Sequence, residues 1–92
     1  MLTYKAMYKF FDDGVHAEVL DFPGVITCGP NLDEARRLLA SALVDMAETN
    51  LMANEPLPAP YLNCTNHDAN IEEPIHLLFT ATSHVPHVPQ RR

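Results

Sequence analysis

Apolar and polar residues alternate along the first part of the chain with the period of two that a β-strand produces. Between Thr3 and Phe11, aromatic residues dominate one face and lysines the other. The two faces are Tyr4, Ala6, Tyr8 and Phe10 against Lys5, Met7 and Lys9. Asp12-Asp13-Gly14 follows and suits a tight turn, and Val15–Phe22 alternates again. The pattern therefore predicts a β-hairpin.

A proline-glycine pair interrupts this pattern and starts a third element. Pro23 has no backbone N–H for a strand ladder, and Gly24 permits a chain reversal. The short β-branched run Val25–Cys28 is typical of a strand. Because both connections are short, we expect the three strands to form an antiparallel meander.

The next segment has the periodicity of an amphipathic helix. Asn31 is placed to cap the helix N-terminus, with Glu34 at the third helical position. The apolar positions that recur at helical spacing are Leu32, Ala35, Leu38, Leu39, Ala42, Leu43, Met46, Ala47 and Leu51. The pattern predicts one helix from Leu32 to about Met52.

The C-terminal third contains one further apolar run. Leu57–Pro60 carries two prolines and predicts an extended exit from the helix. Ile75–Thr82 is apolar and β-prone, so it predicts a fourth strand that could return parallel to a strand of the meander. The expected fold is α+β in the order β-β-β-α-β, one domain over residues 1–82, with a flexible tail at 83–92.

Composition narrows the function classes. The 92 residues are 47% hydrophobic and carry no apolar run near the roughly 20 residues that span a bilayer, nor a recognisable signal peptide. We expect a cytoplasmic protein. The net charge of −6, from 12 acidic and 6 basic residues, opposes nonspecific nucleic-acid binding and suits a basic protein partner. Solubility alone also explains moderate acidity.

Candidate catalytic and metal-binding residues form weak patterns. Glu18 and Asp21 fall on opposite faces of one predicted strand, whereas Asp45 and Glu48 share a helix face that solvation explains equally well. Cys64-x-x-His67 and His84-x-x-His87 have spacings that zinc accepts, but a structural site needs both pairs. We therefore predict no catalytic residue, no metal site and no cofactor.

The run from Phe22 to Asn31, followed by Leu32-Asp33-Glu34-Ala35, resembles the HicB-like antitoxin family over Tyr4 to Pro60. That resemblance implies a truncated, degenerate ribonuclease-H-like fold without enzymatic activity. It also implies the role of an antitoxin that binds and neutralises a small mRNA-cleaving toxin of the HicA type. Members often append a DNA-binding segment, but the residues after Pro60 show no helical period, so we expect no direct nucleic-acid binding.

Two surfaces are then expected. The partner would contact Asp21, Phe22, Pro23 and Gly24 together with Asp45 and Glu48; equally, Phe22 could be core and the turn purely structural. Self-association as a dimer or tetramer would use Tyr8, Phe10, Leu77 and Phe79. A stand-alone oligomeric regulator or scaffold without a toxin remains the alternative function, and a metal-dependent nuclease a remote one.

Overall fold

A computed structural model describes residues 2–61 and 63–78. Its elements are β1 (Leu2–Phe11), β2 (Gly14–Val19), β3 (Ile26–Gly29), α1 (Leu32–Met52) and β4 (Ile71–Leu77). The strands form one sheet in the order β3-β2-β1-β4, in which all neighbours are antiparallel. The predicted α+β fold with one helix on a four-stranded sheet is confirmed.

The β1–β2 hairpin forms at the predicted turn, with Phe11 opposite Gly14. Gly14 has a φ of +156°, which side chains disfavour. A Cβ atom at this position would also lie only 2.7 Å from the carbonyl oxygen of Gly29. The close approach of β2 to the end of β3 therefore requires glycine at position 14.

The helix begins as the sequence predicts. The Asn31 side-chain Oδ1 accepts the backbone N–H of Glu34 at 2.9 Å, and the helix ends at Met52. Four helical residues are completely buried: Ala35, Leu39, Leu43 and Ala47. They pack mainly on β3 and β2, and they close a core with Tyr4, Ala6, Tyr8, Val15, Ala17, Val19, Phe22, Val25 and Leu77.

The fourth strand differs from the prediction in range and in direction. It begins at Ile71 and contains Pro74, a residue that an edge strand tolerates because its outer side forms no ladder. It is antiparallel to β1 because the chain first passes along β1 from its start towards its end. Tyr4 Oη donates to the Pro58 carbonyl near the start of β1, and Asn70 N–H donates to the Tyr8 carbonyl nearer its end. Residues 79–82 of the predicted strand lie outside the described residues, as does the predicted tail 83–92.

Part of the face opposite the helix is covered by the chain itself. Lys5 Nζ donates to the Cys64 carbonyl at 2.8 Å, and Glu72 accepts from the Thr65 hydroxyl and the Asn66 N–H. Met7, between Lys5 and Lys9 on this face, is 2% exposed. Residues 63–70 thus cover the β1–β4 half of this face. In the described ranges, no helix is long and apolar enough to cross a membrane.

Candidate partner-binding surface

Asp21 follows β2 and binds two separate parts of the backbone. Its Oδ1 accepts the N–H of Lys5 at 2.9 Å, and its Oδ2 accepts the N–H of Tyr61 at 2.8 Å. The residue is only 9% exposed. Both oxygens are therefore engaged inside the chain, so Asp21 acts as a clasp between the β2–β3 turn, β1 and the segment after the helix.

Phe22 belongs to the core. Strand β2 ends at Val19, and the turn redirects Phe22 so that its ring lies 5.2 Å from that of Tyr4, 1% exposed. The turn is closed by hydrogen bonds from Phe22 N–H to the Val19 carbonyl and from Val25 N–H to the Phe22 carbonyl. Of the two interpretations of Phe22, the structure matches the one that places it in the core.

Pro23 and Gly24 are exposed at the tip of this turn. Gly24 has a φ of +90°, and a Cβ there would lie 3.2 Å from Cε of Met46. The turn therefore lies beside Met46, in the C-terminal half of the helix. Met46 directly follows Asp45 in sequence. Two separate parts of the predicted surface, the turn tip and the helix, are neighbours in space.

The C-terminal half of the helix carries two acidic residues. Asp45 is exposed and Glu48 half-buried, while the last turn has no basic residue. The helix dipole acts mainly within the last turn, and Asp45 lies well before it, so the exposed Asp45 carboxylate adds negative charge to the surface without a role at the helix end.

Every lysine and arginine in residues 2–61 and 63–78 is paired with an acid of the same chain. The pairs are Lys5–Glu72, Lys9–Asp68, Arg36–Glu73 and Arg37–Glu34. The exposed carboxylates outside these pairs include Asp12, Asp13, Asp45 and Glu55. Acidic residues therefore set the surface potential of the part of the chain that the structure describes.

Tyr8 and Leu77, two of the residues predicted for self-association, are each 2% exposed in the single chain. Arg36 lies 5.8 Å from the Tyr8 ring and holds Glu73 through two hydrogen bonds. Burial, and secondarily the Glu73 charge, raises the pKa of Tyr8 to about 12. Phe10 is 48% exposed and available, whereas Phe79 lies outside the described residues.

The candidate metal ligands are not assembled into a site by the described residues. Residues 2–61 and 63–78 contain no group of three or more His, Cys, Asp or Glu side chains suited to an ion. Burial raises the pKa of the Cys64 thiol, and the nearby Asp21 charge adds to this, which opposes the thiolate that zinc needs. His84 and His87 lie outside the described residues. Glu18 contacts His16, with Oε1 of Glu18 3.4 Å from Nε2 of His16.

Tyr61 was not among the predicted residues, yet it adjoins this surface. Its side chain is 59% exposed, and its N–H is held by Asp21. Nothing in the local sequence indicates this position, since the contact joins residues 40 apart. We define the acidic end of the molecule by Pro23, Gly24, Asp45 and Tyr61.

Comparison with known proteins shows the fold. No protein-family model matches the sequence, and no curated protein matches it significantly. The crystal structure of the N-terminal domain of the Burkholderia pseudomallei antitoxin HicB has a TM-score of 0.66 and 18% identity, covering 85% of this chain and 100% of that one. A chain of the HicA3 and HicB3 toxin-antitoxin complex has a TM-score of 0.57 and 19% identity, covering 64% of this chain and 69% of that one.

Proposed function

We propose that this protein is a HicB-like antitoxin: a non-enzymatic, cytoplasmic protein that binds a small basic HicA-type toxin and neutralises it. The observation that carries the proposal is the likeness to the HicB N-terminal domain, which spans that whole domain and 85% of this chain. A second similar structure is a toxin-antitoxin complex. The order of residues from Phe22 to Ala35 supports the same assignment independently of the coordinates.

The charge distribution supports a basic partner. Because the described lysines and arginines are already paired, an approaching protein meets mainly unneutralised carboxylates. Such a potential attracts a basic protein and speeds its encounter, while it repels nucleic-acid phosphates. A toxin that acts on RNA needs a basic surface to hold its substrate, so an acidic protein can compete for that surface.

The acidic end is the proposed contact surface. It combines an exposed turn tip, Pro23-Gly24, with an exposed tyrosine, Tyr61, and the carboxylate of Asp45. Tyrosine is enriched at the centres of protein interfaces, and charges at their rims steer association. Asp21 contributes by holding the turn and Tyr61 in place, and Phe22 by anchoring the turn in the core.

The test is capture of the tagged full chain from its native cells, with mass spectrometry of the proteins that come with it. A small basic ribonuclease-like protein in stoichiometric amount is the expected result. Its RNA cleavage should then stop when this chain is added in equimolar amount. Recovery of this chain alone would reject the proposal and favour the stand-alone oligomeric regulator.

A matched pair of variants locates the surface. Asp45→Lys should weaken toxin binding about tenfold, equivalent to roughly 1.4 kcal/mol. Asp13→Lys makes the same charge change on an exposed residue of the β1–β2 turn, at the other end of β2 from the acidic end. Calorimetry at two salt concentrations should show the larger loss for Asp45→Lys. Equal losses would mean that net charge alone, without a local surface, attracts the toxin.

A further inference from the structure

The two edges of the sheet differ in how they are protected against pairing with another chain. On β4, Pro74 lies opposite Lys5. The Lys5 N–H donates to Asp21 and its carbonyl accepts from Leu20, so both groups face β2. The Lys5–Pro74 pair is therefore non-hydrogen-bonded, and the Pro74 nitrogen faces outward. Its missing N–H removes a donor from that edge, a common protection of edge strands.

The β3 edge has no such protection. Val19 N–H donates to the Val25 carbonyl, so Val25 faces β2, and by alternation Thr27 and Gly29 do too. The N–H and carbonyl groups of Ile26 and Cys28 then point outward. Ile26 is 54% exposed, Cys28 is exposed, and the strand Ile26–Gly29 contains neither proline nor charge.

We propose that β3 pairs with β3 of a second copy, antiparallel, about a two-fold axis that passes beside Thr27. In this register Ile26 of each copy lies opposite Cys28 of the other, and the outward groups form four hydrogen bonds. A two-fold axis at Cys28 would instead place Ile26 opposite Pro30, which has no N–H to donate. Gly24, at a φ of +90°, ends the extended edge on the other side.

The helices are compatible with this eight-stranded sheet. A two-fold axis perpendicular to the sheet places both helices on the same face. Met46 lies against Gly24 beside β3, whereas Arg36 reaches Glu73 on β4. The helix flank that faces the β3 edge therefore carries Met46 and, one and two turns earlier, Ala42 and Leu38. These are half-buried and apolar, as side-by-side helices at roughly 8–10 Å require. A second copy thus covers residues that the single chain leaves partly open.

This proposal relocates the self-association surface predicted from Tyr8 and Leu77, which the chain buries internally. It does not depend on the proposed antitoxin function. A second copy is the occupant that satisfies both features of this edge, because its own β3 pairs with the open backbone groups and its own helix covers the apolar flank. An unrelated extended segment would leave the isolated protein monomeric.

Cys28→Pro tests the pairing, because it removes the outward N–H, as Pro74 does on β4. The ring also fixes φ at position 28 and favours extended backbone at Thr27, which a strand already has. Cys28→Ser keeps that N–H and is the control. Sedimentation equilibrium from low to high micromolar concentration should show dimers for the native chain and Cys28→Ser, and monomers for Cys28→Pro with an unchanged circular dichroism spectrum. A native chain that stays monomeric, or a Cys28→Pro variant that stays dimeric, overturns the proposal.

Amide hydrogen exchange on the native chain covers the case in which Cys28→Pro does not fold. The Ile26 and Cys28 amides should be protected at high protein concentration and should lose at least tenfold in protection on dilution below the dissociation constant. The Thr27 amide, which faces β2, should stay protected throughout. Equally fast exchange of the Ile26 and Cys28 amides at every concentration overturns the proposal.

Discussion

Removal of the Asp21 carboxylate tests whether its hydrogen bonds to Lys5 and Tyr61 stabilise the fold. Asp21→Ala deletes two acceptors, one for Lys5 N–H and one for Tyr61 N–H. Hydrogen bonds to a charged group contribute about 1.5–3 kcal/mol each. Both amides are only partly buried, so water recovers part of the loss. We expect Asp21→Ala to lower the free energy of unfolding by about 2–4 kcal/mol, a large share of the roughly 5–15 kcal/mol typical of a domain.

Urea unfolding followed by circular dichroism measures this effect. With a slope near 1–2 kcal/mol per molar urea, the midpoint should fall by about 1–4 M. Asp21→Asn keeps one acceptor but turns an NH2 donor towards the other backbone N–H, so it should lose at least half as much as Asp21→Ala. Asp13→Ala, on an exposed turn residue, should stay within about 0.5 kcal/mol of the native chain.

Two outcomes would refute the internal, stabilising role of Asp21. One is an Asp21→Ala variant as stable as Asp13→Ala. The other is a stable Asp21→Ala variant that has lost toxin binding, because that result would make Asp21 a direct contact residue. Hydrogen exchange adds a local readout, since the Tyr61 amide should lose its protection in Asp21→Ala.

Two further predictions concern the core and the hairpin. The pKa of Tyr8 rises from 10.0 to about 12, so the folded state holds the proton more tightly than the unfolded chain. The free energy of unfolding should therefore fall by at most about 2 kcal/mol between those pH values. Tyr8→Phe should flatten this slope in urea unfolding, and an unchanged slope would contradict the raised pKa. Gly14→Ala should lower the free energy of unfolding by more than about 2 kcal/mol, because residue 14 has a φ of +156° and its Cβ would lie 2.7 Å from the Gly29 carbonyl oxygen. The melting temperature should fall by roughly 10 °C or more. A melting temperature equal to that of the native chain would contradict the close approach.

Local patterns predicted much of the fold. The alternation from Tyr4 to Phe10, the turn before Gly14 and the Asn31 cap depend on residues close in sequence, and the structure has all three. The direction of β4 and its start before Pro74 depend instead on where the chain travels after the helix. No short-range signal encodes that path.

The candidate site was less predictable for the same reason. The turn at Pro23-Gly24 and the acidic helix could be named from sequence, and the contact of Gly24 with Met46 makes them neighbours. The internal role of Asp21 follows from partners 16 and 40 residues away. The sequence does not distinguish an aspartate that binds buried backbone groups from an aspartate on the surface. Only the folded backbone shows which of the two Asp21 is.

The route of the chain along β1 also determines the order in which the sheet can be completed. The β1–β2 hairpin joins neighbouring residues, whereas the pairing of Leu2 with Leu77 closes almost the whole described chain. Contacts between distant residues form slowly, because the loop entropy is lost before they contribute. During synthesis, β1 therefore has one open side until β4 leaves the ribosome. A chaperone or a second nascent chain meets the central strand of the sheet while it is still an edge.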